Sequence, residues 1–535
     1  MSPNAILAGS VLGHVAGLGV RDWVVCAGAR NAPLVASLLA RAETGGLRVR
    51  HHFDERAAAF FALGLAKRTG APAAVLTTSG TAAAELLPAA VEAHYAGVPL
   101  VLVTADRPAA YRGSGAPQAI EQAGLLGPYA LALDVPQPGG LADLSQWQGD
   151  APLHLNVAFE EPRAEDRNEE WEIEDLRFEI SNFESGSAEE DGELLEFCRE
   201  REGLLVLLGE LPEDWRGPVE HFVAALGCPV WAEAASGLRE SAALAGRLLR
   251  GEPPLPARVL RIGGVPSLRL WRDLEADDSL PVLSVCRRPF PGLARPSRLI
   301  VTRRFPDLPP SEGAQQGRVA DSTLSGGTQP SLVADPTLLS REAEARWRSS
   351  PGAEPAMLRE LSRRIPSGAL VYLGNSLPIR EWNLAAVDDP PHPRCFASRG
   401  ANGIDGQVAT FLGLSEGEGE SWGIFGDLTA LYDLNAPALL PQLSRGRRRI
   451  VVIHNGGGRI FSRLPAMAGL PEPEKRVTEN RHEVGFGPWA AMWGIEHRLW
   501  RAGEPFPDVS EVETLLLEIR PDEEETEAFW AARGK

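Results

Sequence analysis

Along the 535-residue chain, short apolar runs alternate with segments whose apolar residues recur at helical spacing. In the first third the runs are 23–26, 47–53, 73–76, 99–104 and, as the last strand, 154–157, with helical patterns over about 33–44, 56–68 and 81–95 between them. Strands apolar throughout and separated by helices predict a parallel sheet covered on both faces. A second alternation opens at 203–209, passes through 229–232 and 258–264 and ends near 299–301; a third has a helix around 356–364 and strands at 370–373, 422–425 and 450–453, with one helical crossover over 433–443. The expected fold is α/β, with three doubly wound parallel-sheet domains at 1–185, 190–340 and 350–535, the first and third using one architecture twice. The acidic stretch 160–193 lacks apolar periodicity and reads as an interdomain linker, and 305–336, rich in Pro, Gly, Ser and Gln, reads as a long loop.

Composition narrows the function classes. A chain with 44 % hydrophobic and 23 % charged residues can bury sizeable cores, and its net charge of −19 disfavours nucleic acid, whose phosphates need a basic face. No apolar run approaches the about 20 residues of a membrane span, and no basic leader precedes the first apolar residues, so membrane insertion is not expected and a cytoplasmic location is. The five cysteines are scattered without metal or disulfide spacing and read as buried thiols. Only three lysines occur, Lys67, Lys475 and Lys535, which disfavours Schiff-base and pyridoxal-phosphate chemistry because arginine does not deprotonate. The Gly113-Ser114-Gly115 string follows no strand directly and precedes a proline, so no dinucleotide fingerprint supports a flavin or nicotinamide enzyme.

Candidate chemistry concentrates between 426 and 465. One strand ends in Gly426-Asp427, and another in His454-Asn455-Gly456-Gly457-Gly458. Neighbouring parallel strands would bring Asp427 and Asn455 together at their carboxyl ends, where ligands of such sheets sit. A carboxylate, an amide oxygen and a glycine carbonyl are hard ligands suited to Mg²⁺ with a phosphate ligand, although two simple strand-end turns fit the local pattern equally well. Glu55 stands where a strand turns into an apolar helix; it is either a first-turn carboxylate favoured by the helix dipole or a rigidly held acid. Thr77-Thr78-Ser79-Gly80-Thr81-Ala82 offers Ser79 or Thr81 as a helix cap or an anion site at the helix start. Arg380 and Arg399 follow strands and suit a carboxylate.

The Gly426-Asp427 start and Asn455 end, within GDLTALYDLN and NGGGRIFSRLP, resemble the metal motif of the thiamine-diphosphate-dependent enzymes, and in particular the family that makes 2-succinyl-5-enolpyruvyl-6-hydroxy-3-cyclohexene-1-carboxylate in menaquinone biosynthesis. The resemblance extends over all three blocks. It implies thiamine diphosphate and Mg²⁺, with Mn²⁺ as an alternative ion. Asp427, Asn455 and Gly457 would hold the metal, and Gly426, Leu428, Thr429, Gly458, Ile460, Phe461, Thr78, Ser79 and Gly80 would line the cofactor. Glu55, in DERAAAFFALGLAK, would be the catalytic glutamate that hydrogen-bonds the aminopyrimidine ring, its pKa raised by apolar neighbours. Arg107 and Gln118, from TADRP and GSGAPQ, would contact isochorismate, and Arg30 would bind substrate. Ser376, Arg380 and Arg399 would receive 2-oxoglutarate, with Arg269 and Leu464 as further substrate contacts. The implied reaction removes CO₂ from 2-oxoglutarate and adds the succinyl carbanion to isochorismate. A homodimer or homotetramer is implied, with Glu55 and Asp427 meeting across the dimer interface. His454, Ala29 and Asn31 depart from the family pattern, which has Asn and two Ser at these places. Two alternatives stand: another carboligase or decarboxylase of acetolactate-synthase type, and a non-catalytic ligand-binding relative.

Overall fold

A computed structural model describes residues 1–533 except 44–45, 169, 174–187, 251–252, 254, 307–344 and 346. The first sheet holds β1 (Asp22–Val25), β2 (Arg48–His51), β3 (Ala73–Thr77), β4 (Leu100–Asp106), β5 (Leu131–Val135) and β6 (Leu153–Ala158), in the order β2-β1-β3-β4-β6-β5. The second holds β7 (Leu204–Leu208), β8 (Val230–Ala232), β9 (Arg258–Ile262), β10 (Val282–Cys286) and β11 (Arg298–Val301), ordered β11-β10-β9-β7-β8. The third holds β12 (Leu370–Leu373), β13 (Cys395–Phe396), β14 (Glu420–Gly426), β15 (Arg447–Ile453), β16 (Glu496–Arg501) and β17 (Thr514–Arg520), ordered β13-β12-β14-β15-β17-β16. All pairings are parallel. Counted in chain order, the first and third sheets repeat one topology: second, first, third, fourth, sixth, fifth. This is the three-sheet α/β class that the alternation predicts, and the five cysteines are free and buried.

Several elements differ from expectation. The first sheet gains β5 beyond β6, so 154–157 is the last strand in sequence but not the sheet edge. The 81–95 helix is two, Thr81–Ala84 and Leu87–Ala96, because Pro88 lacks the N–H that would continue the first. Neither Ser79 nor Thr81 caps it; Gly80, at φ +83°, precedes the helix without a side-chain cap. The crossover between β14 and β15 is a short α-helix, Asp427–Tyr432, then a 3₁₀ turn, Ala436–Gln442, where Pro437 and Pro441 deny the α-helical bonds. Within the predicted linker, Trp171 is buried and donates to the Ser37 carbonyl at 2.9 Å, and a helix begins at Ala188. The predicted loop over 305–336 lies, from 307 on, outside the described residues.

Helix α1 (Glu55–Thr69) is the hub. Asp54 caps it by accepting from the Ala57 N–H at 2.9 Å, and Gly70 ends it in the left-handed region at φ +67°. Residues Ala57–Ala66 are all buried, because one side lies on the first sheet and the other on α3 (Gln407–Leu414) of the third unit. The two helices meet backbone to backbone. A Cβ at Gly64 would lie 2.1 Å from the Thr410 carbonyl oxygen, and one at Gly413 would lie 2.2 Å from that of Phe61. A Gly413→Ala substitution is therefore expected to lower stability by about 1–3 kcal/mol through overpacking, since no flexible side chain can give way. Gly192→Ala, at an exposed position of the helix Ala188–Phe197 with open space around it, should be neutral or stabilising by up to about 1 kcal/mol. Denaturant unfolding of the two variants checks the pair, and equal midpoints would contradict the tight crossing.

Candidate active site

Adjacent strands β14 and β15 end at Gly426 and Ile453, which places Asp427 and Asn455 side by side at their carboxyl ends. Asp427 is buried and joins the two loops itself: Oδ2 accepts from the N–H groups of Gly456 and Gly457 at 2.8 and 2.9 Å, and Oδ1 from Leu428 N–H at 2.7 Å. Gly457 sits at φ +138°, and a Cβ there would meet the Glu479 carbonyl oxygen at 2.5 Å, so only glycine fits. Its own carbonyl accepts from Arg459 N–H at 2.8 Å, leaving one lone pair. The Asn455 Nδ2 donates to both Glu354 oxygens, at 3.1 and 2.9 Å, while its Oδ1 is buried and accepts no hydrogen bond among the described residues. An orphaned amide oxygen beside a buried carboxylate and a glycine carbonyl fits a hard divalent cation. No group of three or more His, Cys, Asp or Glu gathers for a metal among the described residues, so a cation here would complete its shell with water and phosphate oxygens.

Around this loop, Leu428, Ile460, Phe461 and Leu464 are half-buried and Thr429 is buried. A Cβ on Gly458 would touch the Phe461 ring at 3.1 Å, so that ring lies directly over the glycine run. Three residues that the pattern did not single out complete the surroundings. His482 accepts from Val484 N–H at Nδ1 and places Nε2 3.4 Å from Asp427 Oδ2. Glu479 accepts from Ser462 and Arg481 and, through its carbonyl, from Gly458 N–H at 2.6 Å. Behind Glu354 lies Glu381, fully buried; burial and the neighbouring Glu354 carboxylate raise its pKa well above the usual range.

Glu55 opens α1 half-buried, and among the described residues its carboxyl has only its own backbone N–H as a hydrogen-bonding partner. Burial raises its pKa, and the nearby Asp54 and Glu85 charges add to the rise. Thr78 and Ser79 are buried after β3, and the chain at Gly28 packs onto Thr78, where a Cβ would clash at 2.6 Å. Asn31 supplies that loop's hydrogen bonds, accepting from Gly28 N–H and donating to the Cys26 carbonyl, both at 2.9 Å. Gly80 donates to Gln122 Oε1 at 3.0 Å and lies against Gln118, which is exposed at φ +57°. Arg107 donates through Nε to the Pro117 carbonyl at 3.0 Å, so Arg107, Gln118 and Gly80 form one mouth.

The remaining arginines divide. Arg380 donates to the Ser376 carbonyl at 2.7 Å, and Ser376 is held at φ +72°. Arg399 donates to Asn375 Oδ1 at 3.0 Å, lies 3.8 Å from Glu233 Oε1, and keeps its buried Nε without a partner among the described residues. Partial burial and the Arg399 charge lower the Arg380 pKa, so two like charges converge here with one distant carboxylate between them. Glu92 of the first unit fixes this loop, accepting from Gly400 and Ala401 N–H at 2.8 and 2.7 Å. Arg30 is not an open fork: it is buried, donates to the Phe159 and Glu160 carbonyls at 3.2 Å and pairs with Glu161 at 2.9 Å. Arg269 pairs with Asp273 at 3.3 Å on the surface of the second unit, with no bond to the other candidates among the described residues.

Residues 9–125 match the family described as thiamine pyrophosphate enzyme, N-terminal TPP binding domain. The chain is 41 % identical to the 2-succinyl-5-enolpyruvyl-6-hydroxy-3-cyclohexene-1-carboxylate synthase of Akkermansia muciniphila and 38 % identical to that of Bdellovibrio bacteriovorus, with 98 % of each chain covered in both comparisons. It is 33 % identical to the enzyme of the same name from Halorhodospira halophila, over 92 % of this chain and 90 % of that one. On these likenesses the chain belongs to the 2-succinyl-5-enolpyruvyl-6-hydroxy-3-cyclohexene-1-carboxylate synthase family of thiamine pyrophosphate enzymes.

Proposed function

We propose that the protein is a transferase of menaquinone biosynthesis that decarboxylates 2-oxoglutarate and adds the remaining succinyl unit to isochorismate. When bound, thiamine diphosphate supplies the electron sink for both steps. Asp427, Asn455 and Gly457 hold Mg²⁺ or Mn²⁺ and through it the diphosphate; the orphaned Asn455 Oδ1 beside Asp427 is the observation that carries this. Glu55 shares a proton with the pyrimidine ring, and burial, which raises its pKa, favours the protonated form that the exchange needs. Arg380 and Arg399, two converging charges that share the Glu233 carboxylate, neutralise the distal carboxylate of 2-oxoglutarate, with Ser376 at the same mouth. Arg107 and Gln118 orient isochorismate beside Gly80, and Arg30 reaches substrate only by exchanging its exposed partner Glu161.

No hydrogen bond or ion pair joins Glu55 or the 78–80 loop to the 427 and 455 loops within the chain, among the described residues. A homodimer, alone or within a tetramer, supplies the pyrimidine half from one copy and the diphosphate half from the other. No described helix is long and apolar enough to cross a membrane, and a cytoplasmic location agrees with soluble substrates. Product formation from isochorismate and 2-oxoglutarate, with thiamine diphosphate and Mg²⁺ added or withheld, tests the whole reading; no product in the complete mixture would overturn it.

Four variants test its parts. Glu55→Gln should keep thiamine diphosphate bound yet lose roughly 10²–10⁴-fold in turnover, because an amide cannot exchange the proton; near-normal turnover would remove the assigned role. Asp427→Ala should weaken cofactor binding in calorimetry by two orders of magnitude or more, since it deletes a metal ligand and also leaves two glycine N–H donors unpaired at about 1–3 kcal/mol each. Arg399→Ala should cost 2-oxoglutarate about 2–5 kcal/mol in kcat/KM and pyruvate, which lacks the distal carboxylate, far less. Arg107→Ala should weaken isochorismate instead. Equal losses with both donors would dismiss the carboxylate clamp.

A further inference from the structure

The Asn455 side chain has two nearly isosteric ends, and which end faces the loop mouth decides whether it can bind a cation at all. Turned one way it presents an oxygen, a ligand; turned the other way it presents an NH₂ group, which repels a cation. Nothing in the Asn455 backbone chooses between them. The choice is made by the group at the far end of the amide, and that group is Glu354. Both of its oxygens lie within hydrogen-bonding distance of the same Nδ2, at 3.1 and 2.9 Å, and a carboxylate offers only acceptors.

Glu354 is itself held in place. It is the first residue of α2 (Glu354–Arg364) and is buried, and its backbone N–H donates to Thr526 Oγ1 at 3.0 Å. Its carboxylate lies 101 residues upstream of the amide that it orients and, apart from Glu381 behind it, bonds no site residue other than Asn455 among the described residues. An amide oxygen turned toward it would face two oxygens and forfeit both bonds, so the Asn455 Oδ1 is driven to the opposite side, where it is buried with no donor among the described residues.

We infer that Glu354 is a positioning residue that fixes the Asn455 amide with its oxygen toward the cation, and so sets the metal affinity of the site without touching metal, cofactor or substrate. The inference rests on the reading of Asn455 Oδ1 as a metal ligand. Partners behind ligating groups typically change metal affinity 10–100-fold when they are replaced.

The test titrates Mg²⁺ into full-length enzyme with thiamine diphosphate and no substrate, following tryptophan fluorescence and calorimetry. Glu354→Gln, whose new NH₂ can pair with the Asn455 oxygen and let the amide turn over, should need roughly 10–100-fold more Mg²⁺ while the unfolding midpoint of the metal-free protein stays near wild type. Asn455→Asp should also bind weakly, because it sets a carboxylate against Glu354. The double variant Glu354→Gln/Asn455→Asp should recover much of the loss, since the new amide donates to one oxygen of the new carboxylate and leaves the other for the cation. Recovery separates orientation from mere support of the fold, and it decides the matter even where a single variant folds poorly. A Glu354→Gln titration that overlays wild type, or a double variant no tighter than Asn455→Asp, would overturn the inference. Wild-type binding of thiamine diphosphate without any Mg²⁺ dependence would instead remove the clamp reading on which it rests.

Discussion

Two backbones in contact govern where everything else can be. At Gly64 and Gly413 the helix that begins with Glu55 lies so close to the helix of the third unit that no Cβ fits between them. Close approach of this kind suits glycine despite its entropic cost in a helix, because it removes the only atoms that would keep the helices apart. It also joins two sheets into one frame, with a single apolar core running across both helices. Flanking contacts fix the register: Arg56 reaches Asp433 at 3.2 Å, Arg50 reaches Glu416 at 2.7 Å, and Lys67 ties the Ala397 carbonyl to Glu210 of the second unit. Glu92 then carries the same frame to the Arg399 loop, where a Cβ on Gly400 would lie 2.4 Å from the Glu92 carbonyl. The position of Glu55 relative to the Arg399 loop is thus set by rigid backbone, with little left to flexible side chains.

Much of this fold was legible because central strands of a parallel sheet are apolar on both faces, and β3, β4, β7, β14 and β15 read that way. Strands that escaped include edges. The two-residue β13 is too short for a pattern, β16 is polar on most positions, and β5 alternates because only one of its faces is buried. β10 and β17 are buried but bracketed by Pro and acidic residues, without the glycine turns that flag their neighbours. The crossover failed for a local reason, since prolines at 437 and 441 favour a 3₁₀ turn over the helix that the apolar spacing suggested.

The site was less legible, and the reason is chemical. Asp427, Asn455 and the glycines stand in a dense local string, so sequence spacing alone could bring them together. Glu354, Glu233 and Glu92 are single carboxylates in a chain with 72 acidic residues, each reaching its partner from a distant segment. Only burial distinguishes them. A carboxylate taken out of water must find donors, and these three are buried against an amide, an arginine and two backbone N–H groups that belong to the candidate site. At Arg30 and Arg269 the motif gave no sign of the ion pairs to Glu161 and Asp273 that the two side chains make.

His454, the departure next to Asn455, has a physical explanation in the same terms. Its ring stacks on His482 at 5.5 Å and its Nδ1 meets Glu518 at 2.8 Å. Burial pushes the Glu518 pKa up, but hydrogen bonds from His454, Arg520 and His497 overcome it and bring it down to about 2. Glu518 lies on β17, the neighbour of β15, and so anchors the strand end that presents Asn455. An asparagine at 454 would be too short to bridge to Glu518 and stack on His482 at once. His454 therefore braces the loop through Glu518 and His482, and this brace acts on the backbone and leaves the Asn455 amide to Glu354.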